Sequence, residues 1–223
     1  MKPFRPPVAM VTRAILIACV AIQLLLWFAG PAFADRLIFA GGLIPARITG
    51  HVIGIEGPVP PLLTFLTHIF LHGGLVHLAM NMVFLVWVGR QVEWLLGPAR
   101  LLLLFLAGGV AGGLAQVVVQ PGSIVPVIGA SGAISAVFAT YALLFARSGE
   151  RPARILGVAL SSETVRALRY AALWIGLQLL TAAAFNLPGS GGIAIWAHIG
   201  GFLFGLLFGL PYLRRLRDDM PGF

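Results

Sequence analysis

The chain carries little charge and very little negative charge: of 223 residues only 7 are Asp or Glu against 15 Lys or Arg, and charged residues make up 10% of the total. Soluble domains carry about 25%. With 59% hydrophobic residues and a mean hydropathy of +0.98, the composition excludes an ordinary soluble domain and specifies an integral membrane protein. Cysteine is nearly absent as well. Cys19 stands alone, which excludes an intrachain disulfide and a cysteine-based metal cluster. No internal repeat divides the chain into two related halves, the pattern that marks many transporters.

What is present is apolar sequence in blocks. Runs at 8–34, 75–96, 99–119, 127–146, 170–187 and 193–213 come near the roughly 20 residues that a spanning helix needs. They predict an all-α polytopic bundle of six transmembrane helices forming a single membrane domain over residues 1–223. The second block is strictly apolar only from Leu75 to Val88; Arg90 and Glu93 lie toward its end, where charged side chains reach the headgroups. The first block has a second reading. Lys2 and Arg5, the run Ala14–Leu26 and the Ala32-Phe33-Ala34 tail before Asp35 have the three-part pattern of a signal peptide. The length of the run and the spans behind it favour a retained first helix.

Numbering the connections alternately puts every Lys and Arg except Arg36 and Arg47 on one side. By the positive-inside rule that side is cytoplasmic. The net charge of +8 is therefore topology information and attraction to anionic lipid, and no nucleic-acid partner is implied. The expected location is a bacterial inner (plasma) membrane. On the outer side the connection from Asp35 to Gly74 is the longest, partly apolar and interrupted by Gly-Gly, Ile-Pro and Pro-Pro steps that forbid one continuous helix. It is expected to fold partly into the membrane.

Few strong hydrogen-bonding side chains remain inside the spans, and they fall at one depth. With this topology the second, fourth and sixth spans run the same way, and His77, Asn81, Ser131 and His198 all sit within roughly 10 Å of their outer ends. An ionisable side chain in hydrocarbon is expensive and points to function. Two of these helices also carry narrow faces: Gly132, Ala136 and Thr140 follow Ser131, and Gly201, Gly205 and Gly209 follow His198. Small faces let backbones approach, and ordinary membrane-helix packing accounts for them equally well. Gly108, Gly109, Gly112 and Gly113 are assigned to packing alone.

The string His68-Ile-Phe-Leu-His72-Gly-Gly-Leu-Val-His77-Leu-Ala-Met-Asn81, then Gly129-Ala-Ser131-Gly132, then Ala197-His198-Ile-Gly-Gly201, in that order on alternate spans, resembles the rhomboid family of intramembrane serine proteases. The resemblance extends from His68 to Gly209. It implies a rhomboid-type bundle, Ser131 as nucleophile, His198 as its base, and His77 with Asn81 as oxyanion side chains, with no cofactor and no metal. The first outer loop departs from the family pattern in lacking a Trp-Arg pair.

The residue types support that chemistry independently. A serine hydroxyl needs an adjacent base at neutral pH, and histidine has the appropriate pKa. No Asp or Glu occurs in the fourth or sixth block, so a dyad is expected rather than a Ser-His-Asp triad; Asp35 and Glu56, on the outer side, are the remaining candidates for a third member. His77 and Asn81, four residues apart, share a helical face and can aim at one oxygen, or can simply join two helices by hydrogen bonding. His72 is a candidate for the lining of a water-accessible cavity, and both His68 and His72 also fit structural roles. Three other readings stay open: a zinc hydrolase, which lacks the helical His-Glu-x-x-His arrangement; a channel or proton-coupled transporter, which would lack intramembrane acids; and a catalytically inactive rhomboid relative that binds membrane proteins in quality control. As a protease, the protein would take transmembrane proteins as substrates, with a small residue before the scissile bond by family resemblance. The oligomeric state is not written in the sequence.

Overall fold

The computed structural model describes residues 8–51, 57–145, 153–155, 158–160, 165, 168–170, 172–174, 176 and 194–219. The helices are α1 (Met10–Ala29), α2 (Pro31–Gly41), α3 (Pro45–Thr49), α4 (Thr64–Thr67), α5 (Leu75–Phe84), α6 (Arg90–Leu96), α7 (Pro98–Val119), α8 (Ser131–Phe145) and α9 (Ile195–Asp219). A wide π turn, Leu85–Gly89, joins α5 to α6 in one continuous helix. Single 3₁₀ turns, Pro61–Leu63 and His68–Phe70, flank α4. The only described strands are a short antiparallel pair, β1 (Ala153–Ile155) and β2 (Val158–Leu160). Helices α1, α5–α6, α7 and α9 are long and apolar enough to cross a membrane. The molecule is an all-α polytopic membrane protein. Most of the fifth expected span, 170–187, lies outside the described residues.

Helices α7, α8 and α9 form the centre, and absent side chains set their spacing. A Cβ on Gly108 would collide with Ala136, one on Gly201 with the Gly132 carbonyl, and one on Gly205 with the Ala136 carbonyl. Lipid tails are as apolar as leucine, so such van der Waals approach, rather than the hydrophobic effect, holds membrane helices together. Thr140 Oγ1 adds a hydrogen bond to the Gly205 carbonyl at 2.8 Å. Contacts advance in step along α8 and α9, from Gly132–Gly201 to Thr140–Gly209, so the two run parallel. Phe84 against Phe138 and Trp87 against Tyr141 give α5–α6 the same direction. Helix α7 runs opposite, its Gly112 against Ala197 and Gly108 nearer Phe204.

Helix α1 ends earlier than the expected 8–34 span, because Gly30 takes φ +86° and Pro31 starts a new helix. Its other end corrects the expectation that Glu93 reaches the headgroups. Glu93 is 5% exposed, and its carboxylate accepts the N–H of Val11 and of Thr12 at 2.9 Å each and the Thr12 hydroxyl at 2.7 Å. The first N–H groups of a helix have no intrahelical partner and favour negative charge, so a residue 81 positions away supplies the cap that α1's own sequence lacks. Glu93→Ala is expected to lower stability by about 1–3 kcal/mol, the cost of leaving buried donors unsatisfied. Unfolding in detergent is the measurement, and an unchanged midpoint would contradict this role.

The segment before α5 is folded rather than loose. Arg47 donates to the carbonyls of Ala40 at 3.2 Å, Gly57 at 3.1 Å and Val59. Leu43 and Val127 exchange backbone hydrogen bonds of 3.0 and 2.8 Å, and Ala46 N–H meets the Ser123 carbonyl at 2.9 Å. The 127–146 block is accordingly helical only from Ser131, since Val127 is committed to this extended pairing.

Candidate active site

Gly129 precedes the serine with φ +117°, a left-handed conformation that glycine alone adopts at no steric cost. It is needed for space too. A Cβ there would lie 2.7 Å from His77 Nε2 and 2.8 Å from Cε1. The Gly129 N–H is fixed by the His68 carbonyl at 2.9 Å, and the turn delivers Ser131 as the first residue of α8. The first-turn N–H groups have no carbonyl within the helix to accept them and carry the positive end of its dipole.

His198 comes from the first turn of α9, 5% exposed, with Nε2 at 2.6 Å from Ser131 Oγ. Packing sets that distance. A Cβ on Gly132 would meet the Ala197 carbonyl at 3.2 Å, and one on Gly112 would collide with it, so glycine on two neighbouring helices lets the α9 end settle against α8. His198 Nδ1 is buried and has no hydrogen-bond partner among the described residues. Asp35 lies exposed in α2, and Glu56 falls outside the described residues.

His77 packs its ring against Gly129 and beside His72, with ring centroids 5.2 Å apart and edge to face. The Gly73 N–H reaches His77 Nδ1 at 3.4 Å. In the neutral ring this leaves the proton on Nε2, the nitrogen facing Gly129. Asn81, one turn further along α5, is buried and donates from Nδ2 to the His77 carbonyl at 2.9 Å. One of its two amide hydrogens is thus held by its own helix. His68 Nδ1 lies 2.8 Å from the Thr64 carbonyl, to which it donates; together with its carbonyl on Gly129 this makes His68 a strut beneath the serine loop. His72 is 1% exposed and neither ring nitrogen has a partner among the described residues. Among those residues no group of three His, Cys, Asp or Glu side chains could hold a metal ion.

The structure thus brings Ser131, His198 and His77 together and shows Asn81 bonded to the His77 carbonyl. It also adds supports that sequence reasoning passed over. Gln116 Oε1 accepts the Ala197 N–H at 3.3 Å while its Nε2 bonds Gln120 at 2.6 Å. Ser135 caps back onto the Ser131 carbonyl at 2.8 Å and receives Trp174 Nε1 at 3.4 Å. An amide inside the third block, whose one other polar residue is Arg100 at its start, is the available signal for Gln116, since a polar group in hydrocarbon needs a partner.

Residues 60–215 match the Rhomboid domain family. This chain belongs to the rhomboid family. It is 30% identical over 162 residues to human Rhomboid-related protein 3, covering 70% of this chain and 38% of that protein. It is 35% identical over 146 residues to the Rhomboid protease GluP of Bacillus subtilis, covering 66% of this chain and 26% of that one. A longer match, 25% identical over 207 residues, is to the Rhomboid protease GlpG of Yersinia pestis, covering 93% of this chain and 64% of the other. The rhomboid chain described here thus spans well under half the length of the first two relatives.

Proposed function

We propose that this rhomboid-family protein is an intramembrane serine endopeptidase that hydrolyses peptide bonds in or near the transmembrane helices of other membrane proteins. The observation that carries the reading is the 2.6 Å contact between Ser131 Oγ and His198 Nε2, with His77 Nε2 against Gly129. In the reaction His198 Nε2 takes the Ser131 proton as Oγ attacks the scissile carbonyl, then returns it to the leaving amine. Water hydrolyses the resulting ester by the same steps. The oxyanion would be held by His77 Nε2–H, the free Asn81 amide hydrogen and the Ser131 backbone N–H. For Nε2 to accept, the His198 proton sits on Nδ1, and no described carboxylate meets it; the site works as a dyad.

The substrate follows from the position of Ser131. A stable transmembrane helix keeps its peptide groups in internal hydrogen bonds, so the substrate must unwind locally before attack. Single-span proteins with Gly, Ser or Pro near the site end of the bundle fit that requirement. Arg13, Arg90, Arg100 and Arg214 gather at the opposite end, where Thr12 meets Gly89 and Arg100 covers the Tyr212 ring at 5.5 Å. By the positive-inside rule that end is cytoplasmic and the site opens outward, in a bacterial inner membrane, the whole chain acting as one membrane domain.

The deciding experiment is covalent labelling with a fluorophosphonate, which reacts only with an activated serine. Label should map to Ser131 and vanish in Ser131→Ala. A folded, unlabelled protein would make this chain an inactive relative that binds membrane proteins.

A further inference from the structure

A groove of about 590 Å³ runs along the second span, with Leu16 of α1 on one bank. Its volume falls within the roughly 300–1,000 Å³ of small-molecule sites. Val86 and Trp87, both from the π turn, form its apolar wall, and Arg90, Gln91 and Trp94 form its polar end. Wide turns of this kind inside α-helices frequently mark functional sites.

The polar end carries positive charge from two helices. Arg90 lies over the Trp94 ring at 5.3 Å. Arg13 is exposed and stands three residues before Leu16, on the same face of α1. It is brought level with Arg90 because its neighbour Thr12 lies against Gly89 and bonds Glu93. Glu93, three residues after Arg90, has both carboxylate oxygens taken by the α1 backbone and Thr12. Arginine presents a planar fork of donors suited to phosphate, and tryptophan prefers the headgroup level.

We propose that this groove binds an anionic phospholipid, one acyl chain along Val86 and Trp87 and the phosphate between Arg13 and Arg90. The lipid would join α1 to the second span at the end where Glu93 already ties them. The binding is independent of the peptidase activity.

The test uses the full chain with Trp27, Trp174 and Trp196 replaced by Phe, leaving Trp87 and Trp94 as reporters, in vesicles of phosphatidylcholine and phosphatidylglycerol brominated on one lipid at a time. Bromine quenches only tryptophan in contact with it. Brominated phosphatidylglycerol should quench at on the order of tenfold lower mole fraction than brominated phosphatidylcholine, as two arginines at an anionic surface would give. The ratio should fall to near one in Arg13→Gln/Arg90→Gln and persist in Arg100→Gln/Arg214→Gln, which removes equal charge from the same end. Val86→Phe should weaken quenching with both arginines intact. Equal quenching by the two lipids overturns the proposal, as does an equal fall in both double variants, which would mean diffuse surface attraction. Loss of the ratio to inorganic phosphate at matched ionic strength would reassign the arginines to free phosphate. Relief by a single-span peptide regardless of the arginines would reassign the groove to a protein helix.

Discussion

Alanine at Ser131 or at His198 is expected to reduce turnover of a single-span substrate by on the order of 10⁴- to 10⁶-fold, and the double variant should be little worse than either single one. The non-additivity follows from the geometry. With Oγ and Nε2 at 2.6 Å, the hydroxyl is useful only while the imidazole can take its proton, so removing either abolishes the same step. Stability should change little at Ser131, whose side chain sits at the mouth of α8. At His198 a buried ring leaves a void, so turnover must be measured per folded molecule. Substantial turnover by purified Ser131→Ala would remove the serine mechanism. Activity lost to a chelator and restored by zinc would point to a metallohydrolase instead.

That pair was legible in the sequence for a physical reason. Hydrocarbon penalises polar side chains so heavily that the few present stand out, and the alternation of spans puts His77, Asn81, Ser131 and His198 at one level. The parallel run of α5–α6, α8 and α9 follows from the same alternation. What the sequence did not disclose depends on partners far along the chain. Glu93 reads as a headgroup-seeking acid until Val11 and Thr12 are seen to bond it. The α8 start hides within an unbroken apolar run because Val127 pairs with Leu43, which hydropathy cannot register. Without a Trp-Arg pair, the first outer connection is tied by Arg47 through three backbone carbonyls, and carbonyls carry no sequence signature.

Asn81 is where the two views diverge most, and it separates a transition-state role from a structural one. Helical spacing makes His77 and Asn81 equal partners for an oxyanion. In the fold His77 offers Nε2 beside Gly129, whereas Asn81 spends one amide hydrogen on the His77 carbonyl at 2.9 Å. His77→Ala is therefore expected to lower kcat by on the order of 10²-fold, near the cost of losing one oxyanion donor, with KM nearly unchanged because the contact forms in the transition state. Asn81→Ala should cost less, on the order of tenfold in kcat, since the backbone N–H and His77 remain. If Asn81 only braces its helix, the same substitution would cost on the order of 1 kcal/mol of stability and leave kcat per folded molecule intact. Measuring kcat and detergent unfolding on one preparation of each variant decides this, and an unchanged kcat in His77→Ala would dismiss the side-chain oxyanion site altogether.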